Sequence, residues 1–528
     1  MSSSSEPLSS KGGTPTKPGH PHDPHAKTME TFDSAYAYRI ILIMIGVVMI
    51  VMYVEGMLTP SLPQIMSEFG VGYSQVSLVL SAYLVTGVAL SPIAGKLGDV
   101  YGKKRVLTVI LALYTAAVTV TGFSPSFEFM VISRAVQGVG LTVFPLALSL
   151  VREEFPREMV PRAQGILSGM FGAGFAVSLP LGAFVSNTWG WRYTYHSAIP
   201  VVAILTILAF IYLRESPYRK PDAYVDYRGA LFLAGSLAFF ILALSQGPYW
   251  GWTAFDTLAL FALGAALLVP LLSVELVQHR RGKEIILDVK MLRQRNVLVA
   301  NLVIVIAGFG MFLAFQAMTF RLDEPIAAGG FALDTFHIGL SFIAFAVPML
   351  IFAPLAGLIV PRVGTKPLTL LGGVIGAIGF FLAIHTTTLD QLLAAMFVIG
   401  AGIALLNSAV INLLVLTVEP REMGLATAMN ATFRNMGSAV GAPLAGSIMS
   451  TYVANVMTTV PGVPVPVPVP WPDSTAFMVA FVVAGATMAF AGLVVLFAEE
   501  ILGKRTVRTA LAKDEKAPLP EGPLPAEA

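Results

Sequence analysis

Fourteen apolar runs recur along this chain, at about 39–60, 74–94, 106–122, 127–150, 164–186, 194–213, 229–247, 256–276, 297–318, 337–360, 367–385, 390–417, 424–451 and 474–498. At a rise of about 1.5 Å per residue, a helix of that length crosses a hydrocarbon core of about 30 Å. Inside lipid a single segment must satisfy its own backbone hydrogen bonds, which leaves the helix as its one solution. The pattern predicts an all-α polytopic membrane protein with fourteen transmembrane helices. Composition agrees: 12% of the 528 residues are charged, about half the share in a soluble protein. There is no cysteine, so disulfides, thiol chemistry and Cys-based metal sites are excluded. No cleavable signal precedes the first run, which begins near Arg39 behind a long polar tail.

Basic residues test the threading. With a cytoplasmic N-terminus, the inner loops and C-terminal tail carry 25 Lys and Arg, six of them in 279–295, and the outer loops carry two, Arg192 and Arg321. That asymmetry predicts both ends inside a cell membrane. Trp189, Trp191, Trp250, Trp252 and Trp471 all fall at expected outer ends, as an interfacial aromatic belt does. Residues 1–38 are rich in Ser, Pro, Gly and His and 501–528 in polar residues and Pro; both read as disordered cytoplasmic tails. His20, His22 and His25 belong to that solvated tail, and no metal site is expected. The proline-alternating stretch 461–472 predicts an extended polyproline II spacer outside, between spans 13 and 14.

The chain also repeats itself. Pro92, Gly95, Gly102 and Lys104 are echoed 262 residues later by Pro354, Gly357, Gly364 and Lys366. Pro-Arg-Glu-Met occurs at 156–159 and again at 420–423. The expected division is a six-helix half over 39–213, a two-helix insert with cytoplasmic linkers over 214–296, and a second six-helix half over 297–500. Repeats of this kind place a substrate site near the midplane, between the halves.

The turn between spans 2 and 3 carries the most specific pattern, Gly95-x-Leu97-x-Asp99-x-x-Gly102-Lys103-Lys104 followed by Arg105. It resembles the corresponding loop of the major facilitator superfamily. Arg134-Ala-Val-Gln137-Gly138-Val-Gly140 resembles the span-4 motif of proton-coupled members. Span 5 is similar to the antiporter signature, with Gly174, Pro180 and Gly182, although its Pro is displaced by one position. Trp191-Arg192, Asp226-Tyr-Arg-Gly229, Gly251-Trp252 and Asn430…Arg434…Gly437 resemble the fourteen-span drug:proton antiporter family. The resemblance implies a major facilitator fold of two six-helix bundles plus two extra central helices. It also implies that Asp99 and the cations Lys103, Lys104 and Arg105 latch the halves together when the inside is closed.

Glu55 is the one acid well inside a span. A charge there costs at least about 2.5–3.5 kcal/mol in lipid, so it marks function by default. It lies about 24 Å from Arg39 along the helix, in the outer half of span 1, at a depth similar to Arg134. Burial favours a protonated carboxyl and a nearby arginine favours an ionised one, so a group that alternates between such settings can carry protons. The competing reading is a static Glu55–Arg134 pair that locks the first half. The family's usual acid would stand at position 54, which here is Val. Gln137, Asn430, Arg434 and Met52 are candidates to line the substrate cavity, and the methionines of span 1 offer an adaptable apolar surface.

These residues predict a proton-coupled multidrug efflux transporter, a drug:H+ antiporter exporting amphiphilic cations by alternating access. The alternative within transport is an exporter or symporter of an endogenous lipid or metabolite. The chain shows no HExxH or GxSxG motif and no buried pair of acids, which argues against an enzyme. The expected partners are a small amphiphilic substrate, protons and the lipid bilayer, with no nucleic acid and no cofactor, and the protein is expected to act as a monomer.

Overall fold

The computed structural model describes residues 33–156, 159–216, 225–280, 289–418, 423–458 and 467–500. Residues 1–32 and 501–528 of the tails, 281–288 of the 279–295 linker, and 157–158 and 420–422 of the two Pro-Arg-Glu-Met segments lie outside them. The first half contains α1 (Ser34–Gly56), α2 (Leu62–Phe69), α3 (Tyr73–Val76), α4 (Leu78–Tyr101), α5 (Lys103–Gly122), α6 (Phe127–Gln137), α7 (Val143–Glu154), α8 (Val160–Trp189) and α9 (Trp191–Tyr212). Helices α10 (Tyr227–Trp250) and α11 (Phe255–Arg280) follow, then a short α12 (Val289–Leu292). The second half contains α13 (Arg295–Asp323), α14 (Thr335–Ser341), α15 (Ile343–Val363), α16 (Thr365–Ile384), α17 (Leu389–Thr417), α18 (Met423–Thr451) and α19 (Ser474–Val494). Among the described residues, twelve helical segments are long and apolar enough to cross a membrane. Helices α8 and α18, of 30 and 29 residues, stand beside them.

The sequence repeat is realised in three dimensions. Gly102 joins α4 to α5 at φ +103°, and Gly364 joins α15 to α16 at φ +99°, a backbone region that favours glycine. In each case a carboxylate caps the helix that follows. Glu215 accepts from the Lys104 and Arg105 amides, and Glu500 from the Thr365 and Lys366 amides. Each acid follows the last helix of its own half and sits at a positive helix end. A Cβ on Gly102 or Gly364 would fall within 2.5 Å of that carboxylate.

The halves are built on matching helix crossings. In the first, Gly174 and Gly182 of α8 press on the backbone of Met49 in α1 and of Met57, which caps α1. In the second, Gly437 and Gly441 of α18 press on the backbone of Val305 and Phe309 in α13. Small residues let such helices approach closely where lipid supplies no hydrophobic drive. A Cβ on Gly437 would lie 1.9 Å from the Val305 carbonyl oxygen, so the helices must separate to admit it. We expect Gly437→Ala to lower stability by about 1–3 kcal/mol. Thermal unfolding of the detergent-solubilised protein reads this, and an unchanged midpoint would refute the crossing.

Between the halves, α4 packs on α18 and α14 on α8. The contacts concentrate at the end opposite Gly102, where the tryptophans lie. The Ser74 amide donates to Ser450 Oγ at 3.1 Å, and Gln64 Nε2 donates to Thr335 Oγ1 at 2.7 Å. The rings of Tyr73 and Phe320 meet edge to face at 4.8 Å. Helix α10 lies along this seam, touching α3, α4 and α18, and its Ser245 exchanges hydrogen bonds with Ser74.

One expectation is corrected. Residues 467–472 are not a free polyproline helix. They form β2 (Val467–Pro472), antiparallel to β1 (Val453–Thr458). Pro removes a donor at every second position, and strand side chains and N–H groups alternate with the same period. The three remaining amides, of Val467, Val469 and Trp471, oppose Thr458, Val456 and Ala454. One edge can therefore pair while the other has no donor to offer.

Candidate functional site

Glu55 stands in the last turn of α1 and is 8% exposed. Among the described residues its carboxyl forms no hydrogen bond or ion pair. Two arginine charges act on it across space, Arg434 of α18 more strongly than Arg134 of α6. The direct Glu55–Arg134 lock considered from sequence is not formed. Arg134 instead docks on the neighbouring backbone, with Nη1 donating to the Val54 carbonyl at 3.4 Å. The depth argument thus brought the right helices together but paired the wrong atoms.

Arg134 is fully buried. Its Nε donates to the Val79 carbonyl at 3.0 Å, Nη1 also reaches Gln137 Oε1 at 3.1 Å, and the guanidinium lies 4.7 Å from the centre of the Tyr83 ring. Gln137 Nε2 in turn donates to Thr121 Oγ1 and to the Ala117 carbonyl. The motif's arginine and glutamine therefore bind α6 to α1, α4 and α5. Arg134 Nη2 and the buried hydroxyls of Tyr83 and Tyr114 are without a hydrogen-bond partner among the described residues, and the buried Tyr195 hydroxyl is turned toward Gln137 and Arg134. A buried polar atom left unpaired costs about 1–3 kcal/mol, and together these groups form a polar cluster around the Arg134 guanidinium, beside Glu55. The tyrosines gave no sequence signal, because they come from three different helices and share no spacing.

The remaining candidates fall into three groups. Asn430 Nδ2 donates to Asn301 Oδ1 at 3.3 Å, and the Arg434 carbonyl receives Ser438 Oγ at 3.0 Å where α18 crosses Gly308. These place Asn430 and Arg434 on the α13 crossing. Met52 is buried against Gly174 and lines a narrow crevice with Val48, Val51, Gly140 and Leu141. Gly174 and Gly182 face α1, while Pro180 and Ala183 back onto Gly339 of α14, so the altered span-5 signature forms contacts on both of its faces.

At the Gly102 end, Gly95 has open space where a Cβ would stand. Lys103 is buried between Asp99, 3.4 Å away, and Glu153. Lys104 and Arg105 are held by Glu215 through their amides. These partners all lie within residues 33–216. The charged turn is organised inside its own half in this conformation.

From sequence only Glu55 stood well inside a span, and no buried pair of acids was expected; Asp323 and Glu324 follow the apolar run 297–318. The structure corrects this. Glu324 caps α13 and is fully buried, with Asp323 half-buried beside it. Arg321, expected in an outer loop, is buried in the last turn of α13, where it donates to the Ala383 and Thr386 carbonyls.

The geometry can be set beside known proteins. A family model described as Major Facilitator Superfamily matches residues 44–323 and 298–523. The multidrug transporter protein MdtP of Bacillus subtilis is 26% identical over 406 residues, covering 75% of this chain and 72% of the relative. The multidrug resistance protein Stp of Mycobacterium tuberculosis is 24% identical over 421 residues, covering 78% and 76%. Among solved structures, the xylose transporter XylE from E. coli aligns with a TM-score of 0.59 at 17% identity, over 89% of this chain and 99% of that one. The human organic anion transporter MFSD10 aligns with a TM-score of 0.56 at 15% identity, over 87% and 99%. Both structures share the fold.

Proposed function

Since the chain belongs to the major facilitator superfamily, a family of transporters and not of enzymes, we propose that it is a drug:proton antiporter that exports amphiphilic cations. The reading includes fourteen spans, the twelve apolar helices together with α8 and α18, with both termini in the cytoplasm. The names of the relatives MdtP and Stp support efflux of varied compounds. The 25-to-2 division of basic residues supports the orientation. On that orientation the tryptophan end is outside, and the contacts gathered there make this an outward-closed conformation.

One observation carries the mechanism. Glu55 on the first half is buried and forms no hydrogen bond among the described residues, while Arg434 on the second half and Arg134 on the first both act on it. Ionised, the carboxylate attracts Arg434 and draws α1 toward α18. Protonated, it loses that attraction, and the halves are free to exchange access. A cationic substrate entering from the cytoplasm competes for the same negative charge. Substrate and proton then exclude one another at a single carboxyl, which is the requirement for antiport. Arg134 holds α1 at Val54 and tunes the carboxylate without neutralising it by contact.

Everted vesicles test the reading. A fluorescent lipophilic cation should accumulate in vesicles that hold this protein when their lumen is acid. Collapsing the pH gradient should abolish the accumulation, and reversing it should reverse the direction of flux. Flux of solute and protons in the same direction would mean a symporter, and flux indifferent to the gradient would refute proton coupling.

A further inference from the structure

We propose that Glu324 is a second proton-binding site, which holds the outer gate shut while protonated and lets it part when ionised. It lies at the C-terminal end of α13, beyond Gly308, where α18 brings Arg434 against that helix, and it moves no proton across the membrane. The inference rests on the alternating access proposed above but not on Glu55 as carrier.

The geometry is that of a neutral acid. The side chain is 0% exposed, with the Tyr73 phenol turned to the carboxyl and no ion pair to it among the described residues. A buried ionised carboxylate that faces a single phenol is too costly to persist. The chain wraps the group closely: the Ala332 amide donates to the Glu324 carbonyl at 2.7 Å, and a Cβ on Gly330 would fall 2.5 Å from the Glu324 Cβ. The site sits at the junction of the halves. Tyr73, at the start of α3, presents its phenol to the carboxyl and its ring edge to Phe320. Its carbonyl stands where a Cβ on Gly446 of α18 would lie at 2.4 Å. Separating the halves therefore uncovers Glu324.

The charged and titratable groups facing it are Asp323 and Arg321 on its own helix, Tyr73 on α3 and Asp473 at the start of α19. Burial, with help from Asp323, pushes the carboxyl up to about 10, against opposition from Tyr73 and Arg321. A parted gate returns it toward the ordinary range near 4.3. The sign follows. Between those limits the closed state holds one more proton than the open state, so raising pH favours opening, by up to about tenfold per pH unit. External acid closes the gate.

The chain has no cysteine, so labels can be placed at will. Glu128 and Thr387 are exposed at the tryptophan end of the two halves. We would label the full-length E128C/T387C protein in nanodiscs and measure the spin–spin distance by pulsed electron resonance from pH 5.5 to about 9. The expected result is a long-distance population that grows with pH, and that is lost at every pH in E324Q and in E324M. The two neutral variants differ in polarity, so either one that folds gives the answer. The E55Q protein should keep the pH response even if vesicle flux shows that Glu55 is not the carrier. A pH response in E324Q or E324M equal to that of the parent would overturn the proposal, as would a parent distance that ignores pH.

Discussion

Efflux driven by a pH gradient should fall by an order of magnitude or more when Glu55 is replaced by glutamine. The substitution keeps side-chain size and burial, so it removes the charge and little else. Glutamine mimics the protonated carboxyl and holds no net attraction for Arg434. In the proposed cycle the ionised form receives the cation, and the variant has none. Binding of a cationic dye should weaken with efflux, while exchange between the two access states persists. Val54→Asp in the Glu55→Gln background sharpens the test. It moves the acid by one residue, about 100° around α1, to the position the family usually uses. Recovery of gradient-driven efflux would mean that depth matters more than direction. Full efflux in Glu55→Gln alone would end the assignment of Glu55 as carrier.

Much of this architecture was legible in the sequence, because lipid admits so few solutions. Helix lengths, the turn at Gly102 and its echo at Gly364 follow from runs of apolar residues and from glycines where φ is positive. The internal repeat foretold more than was drawn from it. An acid follows the last helix of each half, Glu215 and Glu500, and each caps the helix after its half's turn glycine. The same repeat, read forward, would have found that pair. What spacing could not supply was the partner of Glu55. Depth along separate helices suggested Arg134, whereas rotation about α6 turned its guanidinium to backbone carbonyls and left Arg434 the stronger charge. The burial of Glu324 was equally out of reach. It depends on how the chain between α13 and α14 folds back, and on Tyr73 arriving from the other half.

Replacing Arg134 should be the most damaging single change to the folded protein. Its guanidinium satisfies the carbonyls of Val54 and Val79 and the side chain of Gln137, from within a site of 0% exposure. Arg134→Leu removes all three bonds at once and strands their acceptors, each at about 1–3 kcal/mol. Losing one partner of a buried ionic cluster costs about 3–5 kcal/mol in comparable settings. We therefore expect a loss of several kcal/mol, seen as a large drop in the unfolding midpoint and in the yield of monodisperse protein. Arg134→Lys should recover part of the stability, since an ammonium can reach one carbonyl but cannot span α1, α4 and Gln137 together. Arg434→Gln tests the coupling instead. Its charge acts on Glu55, so the variant should lose gradient-driven efflux. Full efflux in Arg434→Gln would contradict the role of that arginine, which answers the carboxyl from across the seam, as an unchanged unfolding midpoint in Arg134→Leu would contradict the role of Arg134 in holding the first half together.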